Sequence, residues 1–307
     1  MKNFYFLIIV FVFLTFPLIT EGAILYLEPS SGQYQPGDTF LVEIKIDTEG
    51  ECINVIESNL KFSQDILKAV DFSQGNSIIT LWVKSPEINQ ESGMISWSGG
   101  IPNGYCGRVL GDPKTSNLLG KAIFKVPEMM VGESGKLGEV KFLGSSQVFL
   151  NDGKGTEAKL IIRGAIFNIL TEKLELPPKD EWKEEIEKDD IPPESFNIEI
   201  SRNPAIFEGK YFITFSAVDK QTGIDHYEVK EGKRDWKIIA SPYVLENQKL
   251  TDNIQVKAVD KAGNERIEIV KAPKKSVWTY ILYGGLFLIL LLIIIKVSRK
   301  VKKNKKL

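Results

Sequence analysis

Histidine is almost missing: His226 is the only one in the chain. Most imidazole-dependent acid–base and nucleophilic chemistry goes with it. No Gly-x-Ser-x-Gly, His-Glu-x-x-His or dinucleotide fingerprint takes its place. Acids are plentiful, but no carboxylate pair is set apart for glycoside hydrolysis. We therefore expect no enzyme, and His226 reads as a surface or packing residue of a strand. Cysteine is nearly absent too, limited to Cys52 and Cys106. Without Cys-x-x-Cys or Cys/His spacing no structural zinc site is expected. Asn151-Asp152-Gly153-Lys154-Gly155 lacks both the acid spacing of a calcium loop and the Gly-Lys-Ser/Thr of a P-loop. It reads as a hairpin turn, since Asp and Gly tolerate positive φ. No metal and no cofactor is expected.

Charge is missing from two runs. Residues 276–295 contain no charged side chain, and thirteen of them are Val, Ile, Leu or Phe. A helix of that length spans roughly 30 Å, the hydrocarbon thickness of a bilayer. Insertion of those side chains is favourable by about 4–8 kcal/mol. Trp278, Tyr280 and Tyr283 stand at one end, and seven cations from Lys296 to Lys306 crowd the other. This predicts a transmembrane helix over 276–297 and a basic cytoplasmic tail over 298–307. The second run, Phe4–Ile19, follows Lys2 and precedes Thr20-Glu21-Gly22. It reads as a signal peptide over 1–22, with an uncleaved anchor as the alternative. The protein is thus expected at the cell membrane, single-pass, with its N-terminal part outside. Setting aside the seven tail cations, Lys2 and Glu21 turns the net charge of −1 into −8. An acidic exported part argues against nucleic acid as a partner. Outside the cell Cys52 and Cys106 are expected to form a disulfide, with two free thiols as the alternative.

What fills the exported part is alternation with period two. Phe40, Val42, Ile44 and Ile46 alternate with charges; Ile56, Ser58, Leu60 and Phe62 share one face while Glu57, Asn59 and Lys61 take the other. Further strands are expected at Leu67–Phe72, Ile78–Val83, Met94–Ser98, Leu118–Val126, Leu137–Leu150 and Ala158–Ile169. Eight or nine strands separated by turns predict an all-β sandwich over 23–169. Residues 170–195, with Pro177-Pro178, Pro192-Pro193 and dense charge, read as a Pro/charge-rich linker holding a helical turn or two and no chemistry. Seven or so short strands over 196–273 predict a smaller sandwich.

Tyr26-Leu27-Glu28-Pro29 leading to Tyr34-Gln35-Pro36-Gly37-Asp38-Thr39-Phe40 resembles the opening of a cohesin domain. Ile56–Phe62 followed by Asp65-Ile66-Leu67-Lys68-Ala69-Val70 resembles its next strands, and Phe149–Thr156 its late hairpin. The resemblance implies a jelly-roll sandwich that recognises a calcium-loaded dockerin module or, through related folds, polysaccharide. Cys52, Cys106 and the long 99–116 segment depart from the cohesins of scaffoldins. Val256-Lys257-Ala258-Val259-Asp260-Lys261-Ala262-Gly263-Asn264, with Phe215–Asp219 and Ser241-Pro242-Tyr243, resembles bacterial Ig-like and fibronectin-III-like modules. Such modules are mostly spacers.

The resemblance places the partner surface on the sheet holding 56–62, 78–83 and 94–98. If Ile56, Leu60, Ile79, Leu81, Ile95 and Trp97 face the core, alternation turns Glu57, Asn59, Trp82, Ser96 and Ser98 outward. Trp82 is then the sharpest candidate, because an exposed indole can anchor a protein or stack on a sugar. Tyr105, beside Cys106, is a further candidate. Three functions stay open: a surface receptor for a dockerin-type protein module in extracellular assembly or adhesion, a polysaccharide-binding surface protein, and a structural envelope protein with no dedicated ligand.

Overall fold

The structure, a computed structural model, describes residues 22–107, 117–128, 135–170, 176–272 and 285–296. The expected leader up to residue 21, the start of the transmembrane segment and the basic tail lie outside these residues. Residues 285–296 are helical and their apolar side chains are exposed. No helix among the described residues is long and apolar enough to cross a membrane.

The first sandwich has two sheets. One is built from β1 (Ala23–Glu28), β3 (Thr39–Asp47), β5 (Lys68–Ser73), β8 (Leu118–Lys125) and β11 (Leu160–Arg163). Its order is β11-β1-β3-β8-β5, with β1 and β11 parallel. The other contains β2 (Ser31–Tyr34), β4 (Ile53–Phe62), β6 (Leu81–Asn89), β7 (Met94–Tyr105), β9 (Lys136–Phe142), β10 (Gln147–Leu150) and β12 (Ala165–Ile169). Its order is β2-β12-β9-β4-β7-β6, with β10 also paired to β4. The expected strand Leu137–Leu150 is two strands, β9 and β10, which share one edge of β4. The turn at Leu143–Ser146 separates them.

Alternation works here as physical chemistry requires. Val42, Ile44, Ile56, Leu60, Ile95, Trp97, Phe124 and Phe167 are almost wholly buried between the sheets. Each such side chain contributes about 1.5–3 kcal/mol on leaving water. The aromatic rings interlock: Phe62 meets Phe124 edge-on at 5.5 Å, and Phe40 meets Phe167 at 5.0 Å. Cys52 and Cys106 are bonded, closing a loop with a sequence separation of 54. In the chain-entropy picture such a loop stabilises the fold by about 4 kcal/mol.

The segment after β12 holds the short helix expected of it, but docked rather than free. It carries helix α1 (Glu181–Lys188), capped by Asp180, whose side chain accepts from Lys183 N. Acids in its first turn and Lys188 in its last suit the helix dipole. It is a docked strap across the five-stranded sheet, not a solvated linker. Thr39 N donates to Lys179 O at 2.8 Å, Leu41 N donates to Glu181 Oε2 at 3.2 Å, and Lys121 pairs with Glu185 at 2.7 Å. Trp182 is buried, and so is Ile123, which the β3–β8 register places on the outer side of that sheet beside Leu41.

The second sandwich comprises β13 (Ile198–Arg202), β14 (Tyr211–Phe215), β15 (Ile224–Glu231), β16 (Lys237–Ile239), β17 (Tyr243–Val244), β18 (Ile254–Asp260) and β19 (Glu265–Val270). Sheets β13-β14-β17 and β16-β15-β18-β19 share a core of Ile213, Phe215, Val229, Val256 and Ala258. Its loops abut the first sandwich closely. Ser73 Oγ donates to Thr222 O at 2.7 Å, and Lys261 pairs with Asp71 at 2.7 Å. A methyl group on Gly75 would lie 1.9 Å from Gln221 O, and one on Gly223, which has φ 85°, would lie 2.8 Å from Gln74 N. Only glycine lets the two backbones approach this far.

Candidate functional site

The outer side of the seven-stranded sheet is built in cross-strand rows. The first row is Phe149–Val55–Gly100–Leu81, the second Gln147–Glu57–Ser98–Lys84, the third Asn59–Ser96–Glu87 and the fourth Lys141–Lys61–Met94–Asn89. The sheet therefore brings Glu57, Asn59, Ser96 and Ser98 together on one face. Lys84 Nζ donates to Ser96 Oγ at 2.9 Å and pairs with Glu87 at 3.3 Å. Asn59 Nδ2 donates to Ser145 O at 3.3 Å. Cations and acids are interspersed, so the centre of the face is polar and nearly neutral. Its apolar content lies at the margins: Leu81 at 51% exposure beside Val55 and Phe149, with Leu137 and Ile166 exposed at the other end.

Trp82 does not belong to this face. It pairs with Gly99, which pairs with the buried Ile56, so its indole lies on the core side. It meets Trp97 edge-on at 5.6 Å and Phe72 at 6.2 Å. Leu81 takes the outward position that alternation had given Trp82. The cause is a break in phase. Ile79 is buried, but residues 77–80 are not strand, so inward–outward alternation does not run from Ile79 into β6. Two register shifts then interrupt β6, and the first leaves Val83 as an extra residue, 73% exposed. Tyr105 ends β7 opposite Ile53 and packs against the core rather than standing free on the face.

Val55, Phe149, Leu137 and Ile166 also belong to this face and were not among its expected residues. Val55 carries a usable signal: it shares strand parity with Glu57 and Asn59. Phe149 sits on β10, whose pairing to β4 is not local in sequence.

A second grouping lies at the junction of the sandwiches. Asp189, Asp219 and Asp260 are buried, each offering a ligand oxygen, and these oxygens lie within 4.8 Å of one another. Oxygen donors of this kind suit a hard divalent cation. Their lone pairs are also in use within the fold. Thr222 N and Oγ1 donate to Asp189, Gln221 N and Gly223 N to Asp219, and Ala262 N and Asn264 N to Asp260. Burial pushes the Asp219 carboxyl above its ordinary range; the two backbone N–H bonds pull against this, and the charges of Asp189 and Asp260 push it further up.

No model of a protein family matches the chain, and no curated protein does. Solved structures are similar over about half of it, and they are cohesin domains. A non-cellulosomal cohesin of the archaeon Archaeoglobus fulgidus is 16% identical, over 49% of this chain and 92% of its own, with a TM-score of 0.37. The cohesin in a Coh-OlpC-Doc435 cohesin–dockerin complex from Clostridium thermocellum is 14% identical, over 48% and 94%, at 0.37. A cohesin module from a family 33 glycoside hydrolase of Clostridium perfringens is 12% identical, over 48% and 96%, at 0.35.

Proposed function

We propose that this chain is a membrane-anchored surface protein whose first sandwich binds a dockerin-type protein module on the outer side of the seven-stranded sheet. One observation carries the reading. Of the sandwich's two broad faces, α1 and its flanks occupy one, while the other, open among the described residues, bears an apolar row beside hydroxyl, amide and paired charged groups. Apolar anchors beside a satisfiable polar field are what a protein partner requires. The cohesin-like motifs from Tyr26 to Phe40 and from Ile56 to Val70 support the same partner class. Trp82, which could have anchored a protein or stacked on a sugar at this face, lies on the core side of β6 and serves neither there. Membrane attachment and the outward orientation rest on the charge-free 276–295 run and the cations that follow it.

Binding of calcium-loaded dockerin modules to the full chain in detergent, measured by calorimetry, tests this. Leu81→Asp and Val55→Asp are each expected to weaken binding at least tenfold, roughly the loss of an interface anchor. Unchanged affinity in both variants, or no binding by any module of a broad panel, would reject the reading.

A further inference from the structure

The second sandwich adds a wall to a surface of the first. Between them lies a cleft of about 960 Å³, with β6 as one wall and parts of β13, β14 and β15 as the other. Its position is set by contacts with little slack, the Asp71–Lys261 pair and the glycine-only backbone approach at Gly75 and Gly223. The cleft is therefore formed before any ligand arrives, and a ligand need not bear the cost of ordering it. Leu81 and Val83 line it, and Leu81 also ends the apolar row of the open face, so the two surfaces are continuous. Glu199 and Asp225 stand on the opposite wall. Asp225 keeps 52% of its side chain exposed while bonding His226 Nδ1 at 2.7 Å. The charge of Lys261 is already taken by Asp71. Asp71, Glu199 and Asp225 outnumber Lys261, so the lining carries a net negative charge whichever form His226 takes, and a cleft concentrates it.

We propose that this cleft is the second half of the recognition site and takes an arginine-bearing segment of the partner protein. The proposal rests on the reading that the open face binds such a partner. A guanidinium fits these walls best: its planar fork matches a carboxylate and its faces stack on aromatic and aliphatic surface, here Trp82 and Leu81. Strand addition to β6 is not the mode, because the register shifts and Pro86 break the regular hydrogen-bonding edge it would need.

The probe is the peptide acetyl-Gly-Arg-Thr-Arg-Gly-amide, titrated calorimetrically into the full chain in detergent at low salt. Its citrulline analogue, of the same shape without the charge, is the control. Saturable one-to-one binding is expected, at least tenfold weaker for the citrulline peptide and at least tenfold weaker in the double variant E199Q/D225N with an unchanged melting curve. Ile166→Ser, on the far side of the open face, is expected to leave peptide binding unchanged. No binding, equal binding of the two peptides, or full binding by E199Q/D225N would overturn the proposal. Failure of the open-face reading shows separately, as dockerin affinity indifferent to Val55→Asp.

Discussion

Leu81 and Trp82 are neighbours with opposite roles, and exchanging them in thought changes the function assigned to the face. Trp82 packs against Trp97 and Phe72, so its loss removes core contacts. Trp82→Ala is expected to lower stability by about 2–3 kcal/mol in a denaturant titration, toward the lower end of large-to-small aromatic substitutions because the ring is only partly buried. Leu81→Ser is expected to stay within about 0.5 kcal/mol of wild type, as for other exposed positions. The reverse ordering would return Trp82 to the surface. Strand parity made most of the face legible: Glu57, Asn59, Ser96 and Ser98 lie where alternation puts them. It failed at β6 because parity holds only while a strand is continuous, and nothing local in Ile78–Val83 announces that residues 77–80 leave the sheet. The clustering of Asp189, Asp219 and Asp260 was illegible for another reason. Asp189 follows α1, Asp219 lies in the loop after β14 and Asp260 ends β18, and only tertiary folding brings them together.

Among the elements, α1 shows how composition misleads. Its eight residues hold six charges, and dense charge ordinarily resists burial. Yet the spacing of Trp182 and Ile186 gives one apolar edge, and Trp182 alone is buried deeply. The charges on the docked side find partners instead of water, Glu185 on Lys121 and Glu181 on the Leu41 N–H. Trp182→Ala is expected to release the strap and uncover Leu41 and Ile123. Binding of a hydrophobic dye should rise while affinity for a dockerin module stays within twofold, because the strap and the open face lie on opposite sheets. Loss of module binding on that substitution would show that the five-stranded side takes part. The disulfide, by contrast, matches its expectation: Cys52 and Cys106 were expected to pair, and they do.

For the molecule as a whole, two successive all-strand units were readable, and their close contact was not. Two sandwiches, a charged connection and an apolar run appear in the sequence as changes of period and composition. That the connection docks, and that Gly75 and Gly223 let two backbones meet, depends on contacts between residues more than a hundred positions apart. Among the described residues, one side of the first sandwich carries the strap and the other adjoins the cleft. The most direct test is hydroxyl-radical footprinting of the full chain with and without a bound calcium-loaded dockerin module, read by mass spectrometry. Side-chain oxidation is expected to fall at Leu81, Phe149 and Met94 and to stay unchanged at Ile191 and Ile267. Undiminished oxidation at all three of the first group, with protection confined to the strapped sheet or to β19, would contradict the assignment of the binding face.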